Sequence, residues 1–282
     1  MSKQVALNTT FTIGDDLTIN RMGYGAMRIT GTGIWGPPKN RTEAIEVLQR
    51  AVELGVNFID TADSYGPYIS EDLIAEALYP YPPGLVIATK GGFMRTGPNE
   101  WTINAHPDHL KSALEGSLNR LKLDRIDLYQ LHRIDPKVPF EKSLEFLQGV
   151  QEEGLVKHIG LSEVSEENIL EAEQYVEIVS VQNKFSLDYR KWEDVLAFCE
   201  RTGKAFIPWN PINAGNAQLV AKVKAVADRI NAAPQQVALA WLLHHSPNIL
   251  LIPGTSSVKH LEENLRSEDI HLTDELIAEL EG

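Results

Sequence analysis

Four side chains able to move or hold a proton fall at or just beyond the ends of short apolar runs. Val56-Asn-Phe-Ile-Asp60 closes on a carboxylate, and a phenol, Tyr65, follows five residues later in a polar turn. Leu85-Val-Ile-Ala-Thr-Lys90 closes on an amine and Ile126-Asp-Leu-Tyr-Gln-Leu-His132 on an imidazole. A phenol titrates near a pKa of about 10, and a neighbouring ammonium lowers that value by stabilising the phenolate. The expected division of labour is therefore that Tyr65 gives a proton to a carbonyl oxygen and Lys90 tunes it. Asp60 anchors Lys90, and His132 orients the carbonyl or relays the proton. Reduction of a carbonyl also needs a hydride, which no side chain supplies, so a nicotinamide cofactor is implied.

These residues can meet only if the runs that carry them are strands of one sheet. Runs rich in Val, Ile and Leu alternate with helical patterns along the chain, as in repeated strand-helix units around a parallel sheet. Eight strands are expected, over 21–25, 56–60, 85–90, 126–132, 158–162, 178–183, 205–209 and 249–253. Helices are expected over 41–54, 71–78, 107–121, 140–153, 166–175, 191–201, 218–230 and 234–244, with two more over 258–266 and 273–281. Ser165 has the hydroxyl of a helix cap, with acids in the turn that follows. Gly55, Gly154 and Gly203 each stand between a helix and a strand, where a residue tolerating positive φ ends the helix. Ahead of the first unit, 5–13 and 17–19 flank Gly14-Asp-Asp16 and read as a β-hairpin plugging the base. The expected fold is one (β/α)8 barrel domain over 1–282, with its site at the carboxyl ends of the strands.

Composition narrows the function. Of 282 residues, 43% are hydrophobic, enough for a large core. Acidic residues outnumber basic ones 39 to 26, a formal charge of -13 that repels a polyanion over most of the surface. The single cysteine, Cys199, has no partner for an intramolecular disulfide, which suits a reducing, cytoplasmic setting. No window approaches the roughly 18 apolar residues of a membrane helix, and Met1-Ser-Lys-Gln lacks the apolar block of a signal peptide.

Taken together, Gly55-Val-Asn-Phe-Ile-Asp-Thr-Ala-Asp-Ser-Tyr-Gly66, the runs ending in Lys90 and His132, Ile252-Pro-Gly-Thr-Ser-Ser257 and Glu262-Glu-Asn264 resemble the aldo-keto reductase superfamily. The resemblance covers nearly the whole chain. It implies a barrel that binds NAD(P)H across its strand ends without a Rossmann fold, with Asp60, Tyr65, Lys90 and His132 as the catalytic tetrad. It also implies that Ser162 and Gln182 hold the nicotinamide carboxamide and that Trp209 stacks on the ring. Gly25, Ala26 and Met27 lie under the nicotinamide, Gly254, Thr255 and Ser256 line the phosphate region, and Glu263 and Asn264 meet the adenine. The family usually has Asn where this chain has Glu163, which can accept from the carboxamide but cannot donate to it. Its usual Arg for the 2'-phosphate falls on His260, beside Lys259. A basic group persists there, so NADPH is the expected coenzyme, with NADH as an alternative. Trp35-Gly-Pro-Pro-Lys-Asn-Arg41, Glu76-Ala-Leu-Tyr-Pro-Tyr81 and the stretch from Ser246 to Ser257 resemble bacterial pyridoxal reductase-like members.

Substrate choice in such barrels resides in loops. Trp35, Tyr68, Trp101 and Arg133 fall in or beside strand-end loops and are expected to form an aromatic, partly basic pocket suited to a phosphate, carboxylate or phenolate. Taken singly, Asp60 reads equally well as a helix cap and Tyr65 as a packed phenol; only the joint pattern points to catalysis. His106, His109, His244 and His245 lack the spacing of a metal set. Gly31-Thr-Gly33 reads as a turn, and the acids near Glu152 and Glu163 to Glu167 as a solvated face. Two other functions share these features: a nicotinamide-binding regulatory barrel without turnover, and a metal-assisted barrel hydrolase or isomerase.

Overall fold

A computed structural model describes residues 9–211 and 217–282. The chain opens with an antiparallel hairpin, β1 (Thr10–Ile13) and β2 (Leu17–Asn20), whose apolar Ile13, Leu17 and Ile19 are buried. Residues 5–8 of the expected hairpin lie outside the described residues. Strands β3 (Tyr24–Gly25), β4 (Phe58–Asp60) and β5 (Val86–Gly91) follow, with α1 (Arg41–Glu53) between β3 and β4 and α2 (Ile69–Leu78) between β4 and β5. After β5 comes a second hairpin, β6 (Phe93–Gly97) and β7 (Glu100–Ile103), and then α3 (Pro107–Leu121). Strand-helix alternation resumes with β8 (Ile126–Leu131), α4 (Phe140–Glu152), β9 (Val156–Ser162), α5 (Glu166–Ala172), β10 (Ile178–Gln182), α6 (Glu193–Thr202) and β11 (Ala205–Phe206). Helices α7 (Ala217–Ile230), α8 (Pro234–His245), α9 (Val258–Leu265) and α10 (Asp274–Glu281) complete it.

Seven strands pair in parallel in the order β11, β10, β9, β8, β5, β4, β3. The eighth expected strand is short but closes the ring, because Ile249 bridges Phe206 on one side and Leu251 bridges Met22 on the other. Four backbone bonds seal this seam: Phe206 N–H to Asn248 C=O at 2.9 Å, Leu250 to Phe206 at 2.9 Å, Leu251 to Arg21 at 2.8 Å and Gly23 to Leu251 at 2.7 Å. The buried Arg21 guanidinium reinforces it by donating to the carbonyls of Leu243, Ser246 and Ile249. Only glycine fits where the first and last staves converge. A Cβ on Gly25 would stand 2.5 Å from the Ile252 oxygen, and one on Gly254 would stand 2.7 Å from the Gly25 oxygen.

The local signals for the helices agree with this frame. Ser165 and Asn168 form a reciprocal capping box at α5, and Gly203 ends α6 at φ 69°. Gly55 and Gly154 turn the chain back toward the sheet at φ 92° and 76°. Inside, Ile13, Leu17 and Ile19 of the first hairpin belong to one buried cluster with Phe58, Val86, Leu128, Ile207 and Leu250 from the staves. Outside, helices lay apolar stripes toward the sheet, as Ala44, Val47, Leu48 and Ala51 of α1 do in one buried cluster with Tyr24 and Ile59.

Candidate active site

Parallel pairing puts the carboxyl ends of β4, β5 and β8 side by side, with Asp60 opposite Ala88 and Lys90 opposite Gln130. The Lys90 ammonium, wholly buried, donates to Asp60 Oδ1 at 2.6 Å and to the Thr61 carbonyl at 2.8 Å. It also lies 3.5 Å from the Tyr65 hydroxyl, the outer limit of a hydrogen bond. The chain after β4 folds back to present Tyr65, for the Asp63 N–H bonds the Lys90 carbonyl and the Tyr68 N–H bonds that of Asp63. His132 stands one residue beyond β8, and its ring meets Tyr65 edge-on with centroids 6.0 Å apart. Phe93 flanks the imidazole on another side at 4.6 Å. All four expected residues therefore gather in one buried cluster.

Two amides complete the surroundings of Asp60. Gln130 and Gln182 donate to its Oδ2 at 3.3 and 3.0 Å, so each carboxylate oxygen has a partner. Gln130 was not singled out from sequence, although a polar side chain in a buried stretch of strand needs a partner.

Electrostatics in the cluster differ from the sequence-based expectation in one respect. Burial raises the Tyr65 pKa; Lys90 pulls it down and Asp60 pushes it up, and the net direction is above the ordinary phenol value. The phenol thus keeps its proton at neutral pH rather than approaching the phenolate. Burial by itself lowers Lys90, but Asp60 and Tyr65 outweigh it and hold the ammonium above its usual range. His132 is driven well below the ordinary imidazole pKa by burial first, then by Lys90 and Arg133. It is neutral, and its Nδ1 has no partner among the described residues.

The expected cofactor residues fall along the rim from β9 to α9. Ser162 ends β9, and its hydroxyl accepts from Arg133 Nη1 at 2.9 Å, leaving its own proton to donate. Gln182 ends β10 with its amide nitrogen turned to Asp60 and, at 3.4 Å, to Gln130. Glu163, at φ 57°, turns Oε1 toward Trp209 Nε1 at 2.7 Å and the Lys184 N–H. That bond holds the half-buried indole at the end of the seventh stave, where Trp209 bridges Lys184. Gly25, Ala26 and Met27 lie where the first stave passes into a 3-10 turn over Ala26–Ile29. Arg28 of that turn was not foreseen; it is exposed, and its Cγ would be 3.4 Å from a Cβ on Gly254.

Gly254, Ser256, Lys259 and His260 are exposed around the start of α9, whereas Thr255 is buried. Thr255 accepts from Tyr24 through its carbonyl and from the Ser257 N–H through its hydroxyl. No side chain caps α9, whose first turn carries Lys259 and His260, an arrangement that suits a phosphate. Glu263 lies 3.8 Å from Lys259, and Asn264 is buried on the same helix. The residues present fit a phosphate-bearing, amide-bearing flat coenzyme.

Of the four expected substrate contacts, three line the mouth. Trp101 on β7 meets Tyr65 edge-on at 6.4 Å, and Trp35 lies in the loop after β3, bridged to Gly66. The Arg133 guanidinium lies 5.4 and 5.8 Å from the rings of Phe93 and Trp209. Tyr68 stands apart. Its left-handed backbone, φ 69°, turns the ring outward, 49% exposed, under the Arg120 guanidinium at 4.2 Å. Arg120 in turn pairs with the buried Glu71 at 2.7 Å, so Tyr68 faces the α2 and α3 layer.

The profile of the Aldo/keto reductase family matches residues 21–282. This chain belongs to the aldo/keto reductase family. It is 52% identical over 267 residues to an uncharacterized oxidoreductase of Schizosaccharomyces pombe, covering 94% of this chain and 87% of the relative. It is 43% identical over 281 residues to pyridoxine 4-dehydrogenase of Escherichia coli, covering 98% of each. Among solved structures, a thermostable aldo-keto reductase in complex with the inhibitor epalrestat superposes with a TM-score of 0.84 at 29% identity, covering 96% of this chain and 98% of that one. An aldo/keto reductase of Klebsiella pneumoniae, solved with NADP and acetate, shares the fold with a TM-score of 0.81 at 24% identity, covering 97% and 94%. As an aldo/keto reductase the chain is an oxidoreductase interconverting carbonyls and alcohols. Among the described residues no helix is long and apolar enough to cross a membrane, and no group of three or more His, Cys, Asp or Glu is placed to hold a metal ion.

Proposed function

We propose that this aldo/keto reductase reduces aldehydes or ketones, with NADPH as coenzyme and NADH as a poorer substitute, and that pyridoxal is among its substrates. The observation that carries the reading is the Lys90 ammonium held between Asp60 and the Tyr65 hydroxyl at 2.6 and 3.5 Å. The coenzyme supplies the hydride when bound. Tyr65 donates the proton to the carbonyl oxygen as negative charge grows there, and neighbouring Lys90 offsets that charge. Asp60, satisfied by two amides, fixes Lys90. Neutral His132 presents a ring nitrogen to the same oxygen without competing as an acid.

Ser162, Gln182 and Trp209 would hold the nicotinamide, with Glu163 fixing the indole; Gly25, Ala26 and Met27 would floor it. Gly254, Ser256 and the N-terminus of α9 would take the phosphates, and Glu263 and Asn264 the adenine. Trp35, Trp101 and Arg133 would face the substrate. The 43% identity to pyridoxine 4-dehydrogenase and the cationic Arg133 both favour an aromatic aldehyde bearing a phenolate. A reducing, cytoplasmic setting suits the lone, buried Cys199.

The test is a panel of aldehydes, pyridoxal included, offered to the purified protein with each coenzyme. NADPH oxidation that tracks added aldehyde supports the proposal. Quenching or shift of NADPH fluorescence with no turnover of any aldehyde would instead favour the regulatory barrel.

A narrower prediction concerns the coenzyme. Lys259 is drawn toward Glu263, which leaves His260 as the better placed reader of a 2'-phosphate. His260→Ala should weaken NADPH by roughly tenfold in a fluorescence titration and leave NADH almost unchanged. Equal losses for the two coenzymes would remove His260 from that role.

A further inference from the structure

Arg95, on the hairpin inserted after β5, spends every donor it has on backbone. Its Nε donates to the Glu100 carbonyl at 2.8 Å, and Nη1 to those of Ile34 and Ser64, both at 2.9 Å. Nη2 donates to Gly33 at 3.0 Å and Gly97 at 3.3 Å. A guanidinium has five N–H groups in one rigid plane, and here all five end on carbonyl oxygens from three different loops. Those loops follow β3, β4 and β5. The acceptor from the second is Ser64, the residue immediately before Tyr65.

The same group also sets the aromatic side of the mouth. Its carbon lies 3.6 Å from the centre of the Trp101 ring and 5.8 Å from that of Trp35. Trp101 in turn meets Tyr65 edge-on. Secondary ties follow the clamp: the Asn99 N–H bonds the Gly33 carbonyl at 2.9 Å, and the Gly36 N–H bonds that of Gly66 at 2.5 Å. The three strand-end loops therefore form one body around a cation that pairs with no carboxylate among the described residues.

We propose that Arg95 is a positioning and specificity-determining residue: by locking these loops it holds Trp35 and Trp101 at the level of the Tyr65 hydroxyl, so that flat aromatic aldehydes are favoured over small aliphatic ones. The proposal rests on the reading of the site as a carbonyl reductase. The hydrogen bonds of Arg95 all go to loop carbonyls and none to Asp60, Lys90 or His132. Its loss should consequently change how substrate is held more than how the proton is given.

Lysine at this position keeps the charge but offers three donors and no plane, so it cannot span three loops. With benzaldehyde, Arg95→Lys should raise KM about 30-fold or more with less than about a threefold change in kcat, while kcat/KM for propanal changes less than about fivefold. The pH profile and the NADPH affinity should stay as in the parent. Trp101→Leu, which removes the ring and leaves the clamp, should lower the benzaldehyde preference in the same way. Amide hydrogen exchange adds a readout independent of turnover: in Arg95→Lys the segments 31–37 and 61–68 should exchange at least about tenfold faster.

Unchanged exchange in both segments overturns the clamp. An equal loss for both aldehydes in either variant overturns its role in specificity, as does unchanged selectivity in Trp101→Leu if Arg95→Lys does not fold. If the parent reduces neither aldehyde, the reductase reading fails, whereas the exchange result still decides whether Arg95 locks the loops.

Discussion

Tyr65→Phe is expected to lower kcat/KM for aldehyde reduction by on the order of 10²–10⁴-fold, the usual worth of a positioned proton donor, while NADPH affinity stays within about twofold. The change removes one oxygen from a buried ring and leaves the edge contacts with Trp101 and His132 intact. Steady-state kinetics together with a coenzyme fluorescence titration will check it; a variant that keeps its rate must have another acid. Because burial holds the phenol above its ordinary pKa, the parent should reduce aldehydes at a steady rate through neutral pH. Its rate should fall only above the normal phenol range of about 10. His132, kept neutral, should contribute no inflection near the usual imidazole value.

Lys90→Met is expected to destroy both activity and a large part of the stability. Removing one partner of a buried ion pair strands the other, a loss of about 3–5 kcal/mol. In a chain of this length that corresponds to a fall in melting temperature of roughly 10 °C. The two amides on Asp60 Oδ2 soften the loss without replacing the ammonium on Oδ1. A second substitution separates the two effects. Replacing Asp60 by Leu in the Lys90→Met background removes the stranded charge and should recover much of the stability, with no recovery of turnover. A melting curve for the single variant matching that of the parent would mean that this pair does not hold the barrel interior together.

Much of this architecture was legible because period and spacing follow from pleated strands and amphipathic helices. The stave over 126–132 and α3 over 107–121 were read almost to the residue, since a short apolar-rich run closing on His132 marks the one and a Pro at the helix start marks the other. The hairpin over 93–103 was not read, because its side chains alternate between partly buried and exposed rather than entering the core. It brings Phe93, Trp101 and Arg95 to the mouth. Of these, only the tryptophan was singled out from sequence. Tyr68 shows the converse error. Spacing set it in the correct loop, but one left-handed residue turned its ring toward α3. The direction of the Tyr65 pKa was also missed, since the pull of an ammonium can be inferred from neighbours in sequence whereas the depth of burial cannot.

The seam at Ile249 to Leu251 has a consequence for the growing polypeptide. Until that segment arrives, the Arg21 carbonyl, the Gly23 N–H and both backbone groups of Phe206 lack the partners that it supplies. Such bare borders recruit strands from other molecules. Fragments cut before Asn248 should therefore clump or be degraded, whereas losses confined to α10 leave the ring shut.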